Sequence, residues 1–154
     1  MAICGDILHS RVAHSGARLL AMLGARVRIA GPAGLVGEDD GSTEAIRRAA
    51  TLDEAIEGAH VIMMLRIQRE RLSSSLVLPD VAAYHAEWGL TARRLERAHP
   101  DAIVMHPGPM NRGVEISSNV ADGPRSRILR QVALGVVVRM AVLARACGVP
   151  LELA

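Results

Sequence analysis

The sequence predicts an α/β fold, a Rossmann-like, doubly wound and mainly parallel sheet flanked by helices, in a single domain of 154 residues. Three observations point to it. Ala2 to Cys4, Val61 to Leu65 and Ala102 to Met105 are short apolar runs bounded by polar residues, as strands covered on both faces require. Ala/Leu-rich helical patterns lie between them. The composition is half hydrophobic with no Phe, one Tyr and one Trp, so the core is left to Ala, Val, Leu, Ile and Met, which suits helices packed on a parallel sheet.

The elements follow in order. Ala2 to Cys4 leads through the polar turn Gly5 to Ser10 into a helix from about Arg11 to Leu23, the opening of a strand-helix-strand unit. Ala25 to Ala30 alternates and is β-branched, so it reads as the second strand, ended by Gly31-Pro32. Gly34 to Gly41 reads as loop. Ser42 or Thr43 is placed to cap a helix through Arg48, and Thr51-Leu-Asp-Glu54 fits a capping box opening a short helix through Glu57. Val61 to Leu65 is the third strand. Residues 72 to 89, with Ser73-Ser-Ser75 and Pro79, read as a long irregular segment, a candidate for movement. Thr91 caps a helix through about Ala98, and Ala102 to Met105 is another buried strand. His106-Pro-Gly-Pro-Met-Asn-Arg-Gly113 breaks regular structure before a last helix from about Arg125 to Cys147. That helix carries an apolar face at Ile128, Val132, Gly135, Val136, Met140 and Leu143.

Composition narrows the classes of function. A formal net charge of +2, with basic residues dispersed among acidic ones, argues against a polyanion and for small anionic ligands; no nucleic acid is expected. Cys4 and Cys147 lack metal-ligand spacing and are expected to be buried thiols. The histidines also lack such spacing, so no metal is expected. Neither a leader sequence nor a run of roughly 18 apolar residues is visible, and a soluble cytoplasmic protein without membrane contact is expected. No Ser-His-Asp arrangement, phosphate loop or GxGxxG fingerprint is present.

Three polar clusters follow three of the strands: Asp6 to Arg11, Arg66 to Arg71 and His106 to Arg112. In a parallel sheet all three lie on one rim, where ligands of open α/β sheets gather. Arg11 stands near the start of a helix, where a cation opposes the helix dipole and a carboxylate ligand would compensate it. Arg66 offers a planar fork for a second carboxylate, and Gln68, two residues on, faces the same side if the chain stays extended. Taken singly, each arginine reads rather as a surface ion pair. The rigid exit His106-Pro107-Gly108-Pro109 presents backbone carbonyls that can accept hydrogen bonds from an amide or amine.

Together these segments resemble the aspartate carbamoyltransferases. The resemblance is carried by Gly5-Asp-Ile-Leu-His-Ser-Arg-Val-Ala13, Met63-Met-Leu-Arg-Ile-Gln-Arg-Glu-Arg71, His106-Pro-Gly-Pro-Met-Asn-Arg-Gly-Val-Glu-Ile116, and Gln131 through Gly135 to Arg139-Met-Ala-Val-Leu143. It covers nearly the whole chain, but only the family's second, aspartate-binding domain. The carbamoyl-phosphate-binding domain with its Ser-Thr-Arg-Thr loop is expected to be absent. By matching position, the resemblance implies that Arg11 and Arg66 bind the carboxylates of L-aspartate and Gln68 supports the second site. It implies that Gly108 and Pro109 contact carbamoyl phosphate, and that residues 70 to 85 match a loop closing over aspartate. The reaction implied is carbamoyl transfer to L-aspartate in pyrimidine synthesis, by positioning and charge stabilisation, with no metal or organic cofactor and no covalently bound catalytic residue.

Glu38-Asp-Asp40, Ser73-Ser-Ser75 and His14 depart from the family's usual residues, and none removes a matched ligand. Ornithine carbamoyltransferases carry a Cys in the segment matching His106 to Pro109, and Arg66 with Gln68 favours aspartate over ornithine. The chain alone is expected to be inactive or nearly so and to need a carbamoyl-phosphate domain in cis or in trans; full-length members form homotrimers. A face of the last helix is expected to be partly exposed, because in the family it packs on the first domain. Two other readings are a non-catalytic amino-acid-binding module that complements a separate carbamoyl-phosphate domain and a nucleotide-binding domain, the latter disfavoured by the missing glycine fingerprint.

Overall fold

In a computed structural model, residues 1–37, 43–67 and 80–149 are described. Five parallel strands, β1 (Ala2–Cys4), β2 (Val27–Ala30), β3 (Ile46–Arg48), β4 (Val61–Met64) and β5 (Ile103–Met105), form one sheet in the order β3-β2-β1-β4-β5. The chain winds outward from β1 in one direction through β2 and β3, then crosses back to β4 and β5. The order therefore reverses between β1 and β4, and the predicted doubly wound sheet is observed.

The sheet is buried on both faces because its central strands β1 and β4 carry apolar residues at every position. Ala2, Cys4, Ile62, Met64 and Val104 face one core, together with Tyr84, Trp88, Leu52, Ile56 and Ile116. Ile3, Val27, Ile29, Ile46 and Leu65 face the other, under Ala13 and Ala17. Helix α1 (Arg11–Met22) covers the second core, and α3 (Leu52–Ile56) packs on β1 and β2 over the first. Each fully buried Ile or Leu contributes roughly 2 kcal/mol of burial free energy, so alternation of short runs across two cores suffices to order the sheet.

Caps fix the helix starts. Ser10 Oγ accepts from Ala13 N at 3.1 Å, Thr51 Oγ1 from Glu54 N at 3.1 Å, and Thr91 Oγ1 from Arg94 N at 3.3 Å, opening α5 (Ala92–Leu95). The Glu54 carboxylate reaches back to Ala50 N at 2.8 Å, one residue before the position of a regular capping box.

Several expectations are corrected. Of the helix expected from Ser42 or Thr43 through Arg48, the described residues Thr43 to Arg48 are not helical: Ile46 is buried under α1 while Val27 N bonds Ala45 O, so Ile46–Arg48 pairs with β2 as an edge strand. The expected loop from Gly34 begins inside a single helical turn, α2 (Ala33–Val36), which buries Leu35 and Val36. Of the segment read as irregular, Asp80 caps an eight-residue helix, α4 (Val81–Trp88), and its Oδ1 accepts from Ala83 N at 2.8 Å. Tyr84 and Trp88, one turn apart, anchor that helix in the core. A further turn, α6 (Ser118–Ala121), precedes α7 (Ile128–Ala146). Cys4 is buried as expected, whereas Cys147 is exposed, because it follows a helix that leaves the sheet after its first turn.

Candidate active site at the carboxyl rim

Strands β1, β4 and β5 are consecutive neighbours and all parallel, so the three strand exits, with the described residues of the polar clusters that follow them, share one rim. The gap between β1 and β4 is the switch point of the winding, the place where open α/β sheets leave a crevice for ligands. At that point the two strand exits touch. Gly5 has φ +125°, and a Cβ there would stand 2.5 Å from Leu65 O, so only glycine lets the β1 exit lie against the β4 exit.

Arg11 is placed by the turn that follows Gly5. Asp6, fully buried, accepts from His9 N at 3.1 Å and lies 2.8 Å from His9 Nδ1, while Leu8 N donates to Leu35 O at 2.8 Å. Ser10 then caps α1, and Arg11 is its first residue, exposed to solvent on the rim. The first turn of α1 holds no acidic residue, so the cation meets the positive helix end uncompensated by its own helix. Arg66 follows β4 directly. Leu65 and Ile67 on either side are buried at 1% and 2% exposure, which fixes the backbone and holds half-buried Arg66 at the crevice. Gln68 lies outside the described residues.

The third cluster is braced by groups for which the spacing carried no signal. His106 and Glu115 are both fully buried. Gly108 N donates to His106 Nδ1 at 2.9 Å, so the ring proton sits on Nε2, which donates to Glu115 Oε1 at 3.2 Å. The same carboxylate oxygen accepts from Asn111 N at 2.5 Å, and Gln131 Oε1 in the first turn of α7 accepts from His106 N at 3.2 Å. A chain of hydrogen bonds thus runs from Glu115 through His106 to the backbone of Gly108. Gly108 has φ +70° and is followed by a cis peptide bond to Pro109; both residues are exposed on the rim. Leu90 N to Glu115 O at 3.0 Å and His85 Nδ1 to Val114 O at 2.8 Å tie this loop to α4.

Beneath the loop, Tyr84 Oη and Glu115 Oε2 are buried with no hydrogen-bond partner among the described residues. Burial, reinforced by the negative charge of Glu115, pushes the Tyr84 phenol well above its usual range, and burial pushes the Cys4 thiol up to about 12. Neither group is suited to act as a base near neutral pH. The described rim therefore offers cations, backbone carbonyls and fixed dipoles rather than a nucleophile with its base. That inventory suits an anionic substrate held for reaction with a second substrate. A cleft of about 720 Å³ lies at the opposite rim, but strand polarity and the switch point favour the carboxyl end for chemistry.

Residues 1–146 match the model of the Asp/Orn-binding domain of aspartate/ornithine carbamoyltransferase. The chain belongs to that family. This Asp/Orn-binding domain is 60% identical over 146 residues to the aspartate carbamoyltransferase catalytic subunit of Sorangium cellulosum, and 54% identical over 145 residues to that of Brucella anthropi. Each match covers 93% of this chain, which spans 44% of the length of either relative. A solved aspartate transcarbamoylase of Trypanosoma cruzi, in complex with carbamoyl aspartate and phosphate, superposes with a TM-score of 0.73 at 29% identity, covering 93% of this chain and 48% of that one. The fold is shared as well with an ornithine carbamoyltransferase of Burkholderia thailandensis, at a TM-score of 0.73 over 93% of this chain and 46% of that one, with 19% identity.

Proposed function

We propose that this domain is the aspartate-binding half of an aspartate carbamoyltransferase. Arg66, held at the end of β4 beside the Gly5 crossover, is the observation that carries the reading. Arg11 and Arg66 stand on either side of the switch point and together form a clamp for the two carboxylates of L-aspartate, supported by Gln68. The exposed turn at Gly108 and Pro109, braced through His106 by Glu115, turns its carbonyls to carbamoyl phosphate, where they accept hydrogen bonds from the carbamoyl amide.

In the proposed reaction the aspartate amine forms a bond to the carbamoyl carbon, the carbon–oxygen bond to phosphate breaks, phosphate leaves with the electron pair, and the amine loses a proton. The domain's part is to orient the amine and hold both carboxylates, so its contribution is entropic and electrostatic. The remaining phosphate contacts come from a carbamoyl-phosphate domain, in cis or in trans, within the homotrimer of the family. The names of the relatives at 54 and 60% identity favour aspartate over ornithine as the amine. We place the protein in the cytoplasm, as a biosynthetic enzyme whose two cysteines are free. Among the described residues no helix is long and apolar enough to cross a membrane.

The test is an assay for N-carbamoyl-L-aspartate on this chain mixed with a separately produced carbamoyl-phosphate domain. Product is expected from the mixture and near background from the chain alone. Arg66→Ala should lower kcat/KM for aspartate by about 10²-fold or more, the loss expected when one partner of a buried charge pair is removed. An unchanged apparent affinity for aspartate in that variant sinks the assignment.

A further inference from the structure

We propose that the cleft at the amino-terminal rim, on the side of the sheet opposite the aspartate site, binds a small organic anion with an apolar body, of the organic phosphate class. The cleft of about 720 Å³ falls within the range of about 300–1,000 Å³ found for small-molecule sites. Its walls have the matching composition. Leu20, Val27 and Ala45 supply apolar surface, and Arg26, Arg28 and Arg47 supply cations.

The cations are arranged at a cost. Arg28 and Arg47 are register partners across the parallel pair of β2 and β3, so both side chains lean to the same face of the sheet. Like charges so placed destabilise a sheet, and an anion between them reverses the sign. Arg28 has a structural occupation as well. Its Nη1 donates to Glu54 O at 2.9 Å and its Nη2 to Glu57 O, which closes the carboxyl end of α3. Arg26 and Arg47 are different. Among the described residues neither makes a side-chain hydrogen bond or ion pair, and both are exposed at the mouth of the cleft. Of the two carboxylates that line it, Glu57 is engaged by Arg97 Nε at 3.2 Å, which leaves Glu44 against two uncommitted guanidiniums.

One wall ends in a ring. His60 lines the cleft and stacks on His99, with ring centroids 4.1 Å apart and planes inclined by 24°. The stack is held by the backbone: His99 N donates to Ala59 O at 3.2 Å, and Ile103 N donates to His60 O at 3.0 Å. A flat apolar group on the ligand would find apolar wall and a fixed ring beside its anionic end. The site owes nothing to Arg11, Arg66 or the Gly108 turn, all of which lie at the other ends of the strands.

Titration of the whole chain with phenyl phosphate and with inorganic phosphate, followed by amide chemical shifts, tests this. Saturable shifts are expected at Arg26 to Arg28, Ala45 to Arg47 and His60, with phenyl phosphate binding more tightly than inorganic phosphate. Arg26→Ala/Arg47→Ala should weaken phenyl phosphate about tenfold, the value of one charged hydrogen bond, while Arg93→Ala on α5 leaves binding unchanged. Both replaced side chains are exposed, and a thermal melt checks that the fold survives. If the double variant melts early, Arg47→Gln alone is read in the same way, with a loss of about threefold or more. Binding that is absent up to about 20 mM, that is indifferent to Arg26 and Arg47, that is equal for the two phosphates, or that shifts only the carboxyl rim overturns the proposal.

Discussion

Gly5 and Glu115 show how single residues set the site. Gly5 allows two strand exits to touch where a Cβ would collide with Leu65 O, and Arg66 follows from that contact. Glu115 acts through His106, whose ring accepts the Gly108 N–H on Nδ1 and donates a hydrogen bond to the carboxylate from Nε2. Titration of buried groups yields a prediction at this scale. The Cys4 thiol, pushed by burial to about 12 from an ordinary value of 9.0, binds its proton more tightly folded than unfolded, and the Tyr84 phenol behaves likewise. A raised folded value means that stability is complete below the unfolded value and is lost as pH rises through the folded one. Unfolding free energy should therefore be level near neutrality and fall from about pH 9 upward, by up to about 4 kcal/mol from Cys4 by pH 12. Urea titrations at pH 7, 9 and 11 read this, and the single tyrosine allows absorbance near 295 nm to report Tyr84 alone. Constant stability across that range would refute it.

At the level of elements, legibility followed periodicity and length. β1, β2, β4, β5, α1 and α7 were visible because each has an apolar run or a 3.6-residue pattern of its own. β3 carries no strand signal of its own, since Ile46-Arg47-Arg48 is too short for a pattern and exists as a strand only through pairing with β2. Within α4, Val81, Ala82 and Ala83 face solvent, and only Tyr84 and Trp88 at i and i+4 mark the buried side. Asp80 as an N-cap was the available signal, and the serines and proline before it masked it. The rim itself was legible: Arg11, Arg66, Gly108 and Pro109 follow three strands that are neighbours in the sheet. The His106–Glu115 brace was not, because a nine-residue spacing across an irregular turn has no periodic signature.

The apolar face expected on α7 is more extensive than one stripe. Only Ile128 is buried, while Val136, Met140 and Leu143 are 53, 64 and 59% exposed and Leu129, Val137 and Val142 are exposed on other sides. An exposed apolar surface of this extent marks a contact face. The purified chain should therefore associate with rising concentration. Val136→Glu/Met140→Glu should suppress that association, seen by sedimentation velocity, and leave the melting temperature within about 2 °C, since neither side chain packs on the sheet. A large fall in melting temperature would show that α7 packs on the fold after all.

As a whole molecule, the domain has two rims with different equipment. The carboxyl rim carries Arg11, half-buried Arg66 and the Gly108–Pro109 turn at the switch point between β1 and β4. The amino rim carries the cleft of about 720 Å³ with Arg26 and Arg47. The proposed aspartate clamp lies at the first, whereas cleft volume alone would favour the second. The measurement that separates them is a titration of the 15N-labelled chain with L-aspartate and, in parallel, L-ornithine, read residue by residue. L-aspartate should give saturable shifts at Gly5 to Ala13, Leu65 to Ile67 and His106 to Gly113, with L-ornithine giving weaker ones. Shifts confined to the amino rim, a preference for L-ornithine, or no saturable response at Arg11 and Arg66 would contradict an aspartate clamp at the carboxyl rim.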